Sequence, residues 1–118
     1  QVLFTPHLAP MVRGILATCY ARPIDPSFST QNALELLEQF YAEEPFIVVD
    51  ETSPSTKATL GANTVHITAR VDERTGWLLI ISALDNLVKG ASGAAIQCAN
   101  IALGLDETSG LPTSGLMP

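Results

Sequence analysis

The sequence contains few charged residues, few aromatic residues and only two cysteines. Charged residues make up 15% of the chain and aromatic residues 6%, whereas 47% is apolar. An ordinary soluble domain is about one quarter charged, so part of the apolar surface is expected to face something other than water. The alternative is a compact, β-rich domain with many small residues. The first explanation is favoured because the apolar excess lies near the two ends of the chain.

Several classes of protein are disfavoured by what the sequence does not contain. A net charge of −6 argues against an electrostatic binder of nucleic acids or anionic membranes. No apolar run approaches the roughly 20 residues that a membrane-spanning helix needs. Cys19 and Cys98 have neither metal-binding nor disulfide spacing, which predicts no metal site and a reducing, cytoplasmic location. The chain begins at Gln1 without a basic signal-peptide region, and we expect it to be the interior of a longer polypeptide.

The order of apolar and polar residues predicts a sheet. Strands are expected over residues 14–20, 46–49, 64–71 and 77–84, with a further short β-prone run over residues 2–5. Residues 64–71 alternate strictly between apolar and polar side chains, which is typical of an antiparallel strand with one face in water. Residues 72–76 have the length of a hairpin loop. Residues 14–20 form a continuous apolar run, so that strand is expected to be buried.

A first helix is predicted from apolar spacing and a capping residue. It begins at Ser29 or Thr30, either of which can accept a hydrogen bond from the first turn. Its apolar residues recur at positions 33, 36, 37, 40 and 41, which lie on one helical face. Pro45 prevents the helix from continuing, because the residue before a proline avoids the helical conformation.

A second helix and the tail complete the chain. The helix is predicted over residues 94–103, with Gly104 at its C-terminal end. Residues 106–118 are rich in glycine, proline and threonine and carry no predicted element. Two helices with four or five mostly antiparallel strands give an α+β fold. We expect residues 1–118 to form one domain, because the chain is too short for two ordinary ones.

Three residues are candidates for chemistry or binding. His7 lies in a loop between two prolines, where it is either a proton carrier or a surface histidine in a turn. Arg13 stands at a strand entrance and either binds a carboxylate through two hydrogen bonds or is a surface charge. His66 belongs to the polar face of an alternating strand, which favours a solvent-facing or cross-strand position.

Other polar and small residues receive structural interpretations. Gly90 and Gly93 precede a helix and resemble an anion-binding turn, but close helix packing is the favoured role. Cys19 lies inside an apolar strand without a feature that would lower its pKa, so we expect a core residue rather than a nucleophile. Three loop carboxylates without a partner pattern are expected to be solvated: Asp25, Asp50 and Glu51.

Two stretches carry a resemblance to a known family. Residues 4–16, FTPHLAPMVRGIL, resemble the histidine motif of the N-acetyl-gamma-glutamyl-phosphate reductases. Residues 85–97, DNLVKGASGAAIQ, followed by Asn100, resemble the entrance to that family's C-terminal helix. Residues 61–67, GANTVHI, and 104–111, GLDETSGL, also fit. The resemblance covers the whole chain in the right order.

The resemblance implies a fold and a reaction. The fold would be that of the C-terminal domain of glyceraldehyde-3-phosphate-dehydrogenase-type enzymes. The full enzyme would reduce the acyl phosphate N-acetyl-glutamyl 5-phosphate to the semialdehyde with NADPH, releasing phosphate, in arginine biosynthesis. A cysteine thiolate would attack the acyl phosphate, and hydride would then reduce the thioester. The family's essential histidine matches His7, which would favour the thiolate and donate a proton to the future aldehyde oxygen.

The resemblance also implies binding residues and contacts. Asn86 would contact the nicotinamide amide, and Gly90 would allow the cofactor to approach closely. Arg13 would bind a carboxylate or phosphate of the substrate. Residues 90–118 would pack on a nucleotide-binding domain outside this chain, and the sheet would form the interface of a homo-oligomer.

Two departures from the family pattern limit what the chain does alone. It contains no glycine-rich nucleotide-binding domain and no Gly-Cys-Tyr nucleophile motif, and Cys19 with Tyr20 does not supply one. We therefore expect the isolated chain to be inactive and to bind NADPH weakly or not at all. Two alternatives are a purely structural dimerisation module and a related reductase that acts on aspartyl phosphate or a carrier-linked aminoadipyl phosphate.

Overall fold

A four-stranded mixed sheet organises the chain, for which the computed structural model describes residues 1–116. The strands are β1 (Ile15–Ala21), β2 (Ile47–Val49), β3 (Val65–Asp72) and β4 (Trp77–Leu84), in the order β1-β4-β3-β2. β4 pairs antiparallel with both β1 and β3, whereas β2 pairs parallel with β3. With two helices, this confirms the predicted α+β fold. The β-prone run at residues 2–5 forms no strand.

The β3–β4 hairpin is the centre of the sheet. Its register places Asp72 opposite Trp77 and Val65 opposite Leu84. The loop is closed by Asp72, whose carbonyl oxygen accepts from the backbone N–H of Gly76 at 2.7 Å and of Thr75 at 3.2 Å. Gly76 has a φ of +69°, a conformation that glycine adopts without steric cost. The predicted hairpin is therefore confirmed.

The strand β1 lies at one edge of the sheet and is largely exposed. The prediction of a strand is confirmed, but the prediction that it is buried is wrong. Cys19 is exposed as well, so its predicted core position is also wrong. The continuous apolar run does form a strand, but within residues 1–116 only β4 pairs with it and neither helix covers it.

The helix α1 (Thr30–Phe40) packs on the middle of the sheet. Ser29 caps it: the Ser29 hydroxyl accepts from Asn32 N–H, and Asn32 Oδ1 accepts from Ser29 N–H, which satisfies two free donors of the first turn. Ala33 and Leu34 are buried against Ala69 of β3. These three side chains form a buried apolar cluster between α1 and the sheet.

The predicted apolar face of α1 is only partly the buried one. Leu36 and Phe40 belong to the predicted face but are exposed, whereas the buried Leu34 does not. The helix ends at Phe40, with Tyr41 as the C-cap, so it stops before Pro45 as predicted. The buried face is therefore rotated from the predicted one, because it is set by the position of the sheet.

The second helical region is longer than predicted. A π-helical turn, Val88–Ser92, leads directly into α2 (Gly93–Ala102), whereas the prediction covered residues 94–103. The predicted role of Gly104 is confirmed. Gly104 N–H donates to Ile101 O and Leu105 N–H to Asn100 O, which is the Schellman pattern of a helix end.

The tail crosses the body of the domain without a helix or strand. Asn63 N–H donates to Pro112 O, and Leu116 N–H donates to Leu60 O, both at 2.7 Å. The prediction of no element is confirmed for residues 106–116; Met117 and Pro118 lie outside the described residues. In residues 1–116, neither helix has the length and apolar character needed to cross a membrane.

Candidate functional site

A buried carboxylate, Asp85, joins three segments of the chain at the end of β4. Its side chain is fully buried. It accepts hydrogen bonds from the backbone N–H of Gly61 at 2.6 Å, of Leu87 at 2.8 Å and of Val88 at 2.9 Å. It also pairs with Arg13, which lies just before β1. The loop before β3, the turn after β4 and the entrance to β1 are thus fixed by one side chain.

The environment of Asp85 keeps the carboxylate charged. Burial alone would raise its pKa, because a charge is poorly solvated away from water. The hydrogen bonds from three backbone N–H groups and from Arg13 outweigh this and lower the pKa from 3.8 to about 2. Asp85 is therefore an anion throughout the neutral range.

Arg13 uses only one of its three nitrogens in this contact. Its Nε lies 3.1 Å from Oδ1 and 2.9 Å from Oδ2 of Asp85. Within residues 1–116 the structure records no hydrogen bond from its two terminal nitrogens, and 32% of the side chain is exposed. The two terminal nitrogens of this partly exposed side chain are thus without a partner in the described part of the chain.

Asn86 holds the entrance to β1. Its Oδ1 accepts from Gly14 N–H at 2.6 Å. Gly14 has a φ of +108°, and a Cβ atom there would lie 2.6 Å from Cβ of Thr56, so both conformation and space require glycine. The Nδ2 of Asn86 makes no hydrogen bond within the described part of the chain. Asn86 therefore fixes the backbone with its oxygen and leaves its amide donors free.

The two glycines of the helix entrance have different surroundings. Gly90 is exposed and donates its N–H to Asp85 O at 2.8 Å. Gly93 is buried, and a Cβ atom there would overlap Asn63 Oδ1. Close packing, the favoured interpretation, is confirmed for Gly93. The first backbone donors of this turn already bind Asp85, which leaves no open anion site of the kind considered from the sequence.

His7 lies apart from this cluster. It belongs to the exposed segment of residues 1–12, and its Nδ1 is 3.1 Å from Thr5 O. The structure therefore brings Arg13, Asn86 and Gly90 together around Asp85, but places no other predicted site residue in contact with His7. The catalytic role of His7 stays a prediction.

His66 and the loop carboxylates form no part of this cluster. His66 is half-buried, and burial lowers its pKa below 6.5, while the nearby Asp50 carboxylate partly opposes the shift. The predicted exposure of Asp25, Asp50 and Glu51 is confirmed. Among residues 1–116, no three His, Cys, Asp or Glu side chains form a group that could hold a metal ion.

A second, partly buried polar network supports α2. Asn63 is fully buried, and its Nδ2 donates to Gln97 Oε1 at 3.1 Å. Lys89 Nζ donates to the same oxygen at 2.7 Å, and Gln97 Nε2 donates to Glu107 Oε1 at 2.6 Å. The tail, α2 and the loop before β3 are linked in this way.

Sequence reasoning did not identify Asp85 or this network. One local signal could have found Asp85: an aspartate that follows an apolar strand and precedes a helical turn can accept from the next backbone N–H groups. Its contacts with Arg13 and Gly61, 72 and 24 residues away, have no local signal. The network around Asn63 depends on separations of up to 34 residues.

The fold is that of a known class of domain. The chain belongs to the family described as the semialdehyde dehydrogenase dimerisation domain, which matches residues 1–86. Over its whole length it is 50% identical to the N-acetyl-gamma-glutamyl-phosphate reductase of Corynebacterium aurimucosum and 50% identical to that of Thermus thermophilus. It is 47% identical, over 99% of the chain, to N-acetyl-gamma-glutamyl-phosphate reductase 1 of a Nostoc species.

These relatives are much longer than the chain. The chain spans 34% of the length of each of the three. The resemblance stated from residues 4–16 and 85–97 is confirmed. Each of these relatives is named as a reductase.

Proposed function

We propose that the chain is the substrate-binding and dimerisation domain of a cytoplasmic, NADPH-dependent reductase of arginine biosynthesis. The substrate would be N-acetyl-glutamyl 5-phosphate, and the products the semialdehyde and phosphate. The observation that carries this proposal is the identity of 45–50% over the whole chain with proteins named as that reductase. The chain covers only about a third of those proteins, so the nucleophile and the nucleotide-binding domain would lie in the remainder.

The cluster at the end of β4 supports the binding part of this proposal. Arg13 presents two donors on a positive charge, which suits a carboxylate or a phosphate. Asn86 has free amide donors, and Gly90 has no side chain and is exposed. These features fit a carboxamide-bearing cofactor, which would supply hydride when bound.

His7 would supply the proton in this reaction. It lies in the exposed segment of residues 1–12, six residues before Arg13. In the full enzyme this segment would be held against the nucleotide-binding domain, where His7 would favour the cysteine thiolate and protonate the forming aldehyde oxygen. The apolar residues 90–105, mostly exposed here, would pack on the same domain.

The test is an assay of the full-length protein that carries this chain. We expect NADPH-dependent reduction of N-acetyl-glutamyl phosphate, or the reverse reaction from aldehyde and phosphate. Replacing His7 by Asn should lower kcat by about 100-fold or more, whereas Asp25→Asn, an exposed loop change, should not affect it. Activity only with aspartyl phosphate or a carrier-linked aminoadipyl phosphate would overturn the substrate assignment.

The isolated chain provides a complementary test. It should have no reductase activity, because it lacks the nucleophile. Calorimetric titration with NADPH should show weak binding or none. Ordinary micromolar affinity would contradict the proposal that another domain binds most of the cofactor.

A second function, self-association, is favoured by one face of the sheet. In the part of the chain that the structure describes, no helix covers the face opposite α1, and this face carries apolar side chains that are exposed or half-buried. We define this open sheet face by Leu16, Tyr20, Val48, Trp77, Leu79 and Ile81. Tyr20 is 66% exposed and Trp77 36%, with the Arg22 guanidinium 4.3 Å above the Trp77 ring. We propose that a second copy of the chain covers this face.

Sizing by light scattering would test the open sheet face. We expect a dimer for the wild-type protein and a monomer for Tyr20→Asp, because a buried unpaired charge is costly in an interface core. Phe40→Asp is the matched control, since Phe40 is an exposed aromatic residue on α1, away from the face. Dissociation by the Phe40 change alone, or no effect of the Tyr20 change, would contradict the proposal.

A further inference from the structure

The way Arg13 is held determines which of its atoms can bind a ligand. Both oxygens of Asp85 approach the same nitrogen, Nε, at 2.9 and 3.1 Å. A guanidinium binds an anion through two nitrogens, either Nε with one terminal nitrogen or the two terminal nitrogens together. Because Asp85 occupies Nε, only the edge formed by the two terminal nitrogens remains.

Asp85 is a rigid support for this arrangement. It is fully buried, and three backbone N–H groups from two separate segments fix its two oxygens. An arginine side chain normally loses much conformational freedom when it binds a ligand. Here the inner end of the guanidinium is already fixed, so less freedom remains to be lost on binding.

The charge balance leaves the arginine attractive to an anion. The negative charge of Asp85 is shared among the three backbone donors as well as Arg13. The low pKa of Asp85, about 2, means that this balance does not change near neutral pH. The two terminal nitrogens of Arg13, on a side chain that is 32% exposed, therefore keep positive character.

We propose that Asp85 is a positioning residue that directs the two terminal nitrogens of Arg13 toward an oxyanion of the substrate. The oxyanion is either a carboxylate or a phosphate, since each presents two oxygens to a planar pair of donors. This inference rests on the proposed function for the identity of the substrate. It adds that Asp85 acts on substrate binding through Arg13, without touching the substrate itself.

The first experiment uses Asp85→Asn in the full-length reductase. We expect the KM for the acyl phosphate to rise about tenfold or more, with kcat changed much less, because a charge-assisted contact made on binding is weakened. In an Arg13→Gln background, the same Asp85 change should raise KM no further. A rise of equal size in both backgrounds would overturn the proposal, since Asp85 would then act independently of Arg13.

A second variant leaves Asp85 intact, in case its replacement prevents folding. In Arg13→Lys the charge is kept, but Asp85 would bind the single ammonium group and leave no paired donors. We expect a KM close to that of Arg13→Gln. A KM close to wild type would show that charge alone suffices, and would overturn the role of Asp85. Asp25→Asn, which removes an exposed carboxylate bonded only to Ser27, is the matched control and should change nothing.

A binding measurement separates this inference from the proposed reaction. Inorganic phosphate and N-acetyl-glutamate are titrated separately into the full-length protein, with the rise in Tm as the readout. If one probe raises the Tm of the wild-type protein and Asp85→Asn abolishes this rise, the result supports the proposal and identifies the oxyanion. This holds even if the protein does not reduce the expected acyl phosphate. No stabilisation by either probe, or equal stabilisation in the variant, would overturn it.

Discussion

Gly93, at the start of α2, offers a test in which helix propensity and packing predict opposite results. Replacing it by alanine would stabilise an unconstrained helix by about 1 kcal/mol. In this structure a Cβ atom there would overlap Asn63 Oδ1 and lie 2.8 Å from Val88 Cγ1 and 2.9 Å from Val88 O. Asn63 cannot easily move, because it is fully buried and bonded to Pro112 O and Gln97 Oε1.

The size of the effect follows from these contacts. Overpacking costs about 1–3 kcal/mol, and loss of one Asn63 hydrogen bond adds about 1 kcal/mol. After subtracting the helix gain, we expect Gly93→Ala to lower the free energy of unfolding by about 2 kcal/mol. Gly90→Ala is the matched control, because its Cβ would make only tight contacts, with Asp85 O at 3.3 Å and Leu84 Cδ1 at 3.4 Å, rather than an overlap. Its effect should lie within about 1 kcal/mol of zero.

Urea unfolding of the single and double variants separates packing from helix propensity. In an Asn63→Ala background the overlap with Oδ1 is absent, so Gly93→Ala should cost less than in the wild type. The double-mutant cycle measures that difference directly. A Gly93→Ala protein as stable as the wild type, or an equal cost in both backgrounds, would refute the reasoning.

Three further predictions concern titration and exposure. Since the pKa of Asp85 is lower in the folded chain, the charged side chain stabilises the fold above pH 3.8, and this stabilisation is lost as the pH falls toward 2. The difference in the free energy of unfolding between wild type and Asp85→Asn, measured by urea unfolding, should therefore narrow over that range. A constant difference would contradict the shift. Asp50→Asn should lower the pKa of His66 further, because Asp50 now raises it; an unchanged NMR titration would contradict this. Cys19 and Cys98 should both react with a thiol reagent in the folded chain, and protection of either would contradict their exposure.

The elements that the sequence predicted correctly are those whose signal is local. The β3–β4 hairpin follows from strict alternation and a loop closed by Asp72. The start of α1 follows from Ser29, and the end of α2 from Gly104, since both act on backbone groups within five residues. Short-range hydrogen bonds depend on neighbouring residues, so they can be predicted without knowledge of the tertiary fold.

The features that the sequence did not predict depend on distant segments. Leu34 is buried and Leu36 exposed because of where the sheet lies, although helical spacing alone favours the opposite. Asp85 became central only when the fold brought Arg13 and Gly61 to it. Arg13, Asn86 and Gly90 all lie around Asp85, and their binding roles stay predictions, while the residue that joins them was not foreseen.

The exposed apolar surface of β1, which was predicted to be buried, is related to the low charge content of the chain. Its apolar run predicted burial, yet the strand is exposed, as are the apolar residues of segment 1–12 and most of α2. An apolar pattern predicts that side chains are shielded from water, but it does not predict which molecule shields them. Under the proposed function, each surface has an occupant outside the chain: a second copy on the open sheet face, and a nucleotide-binding domain on α2 and the His7 segment. The same absence of cover would then explain why Arg13 and Asn86 still hold unused donors.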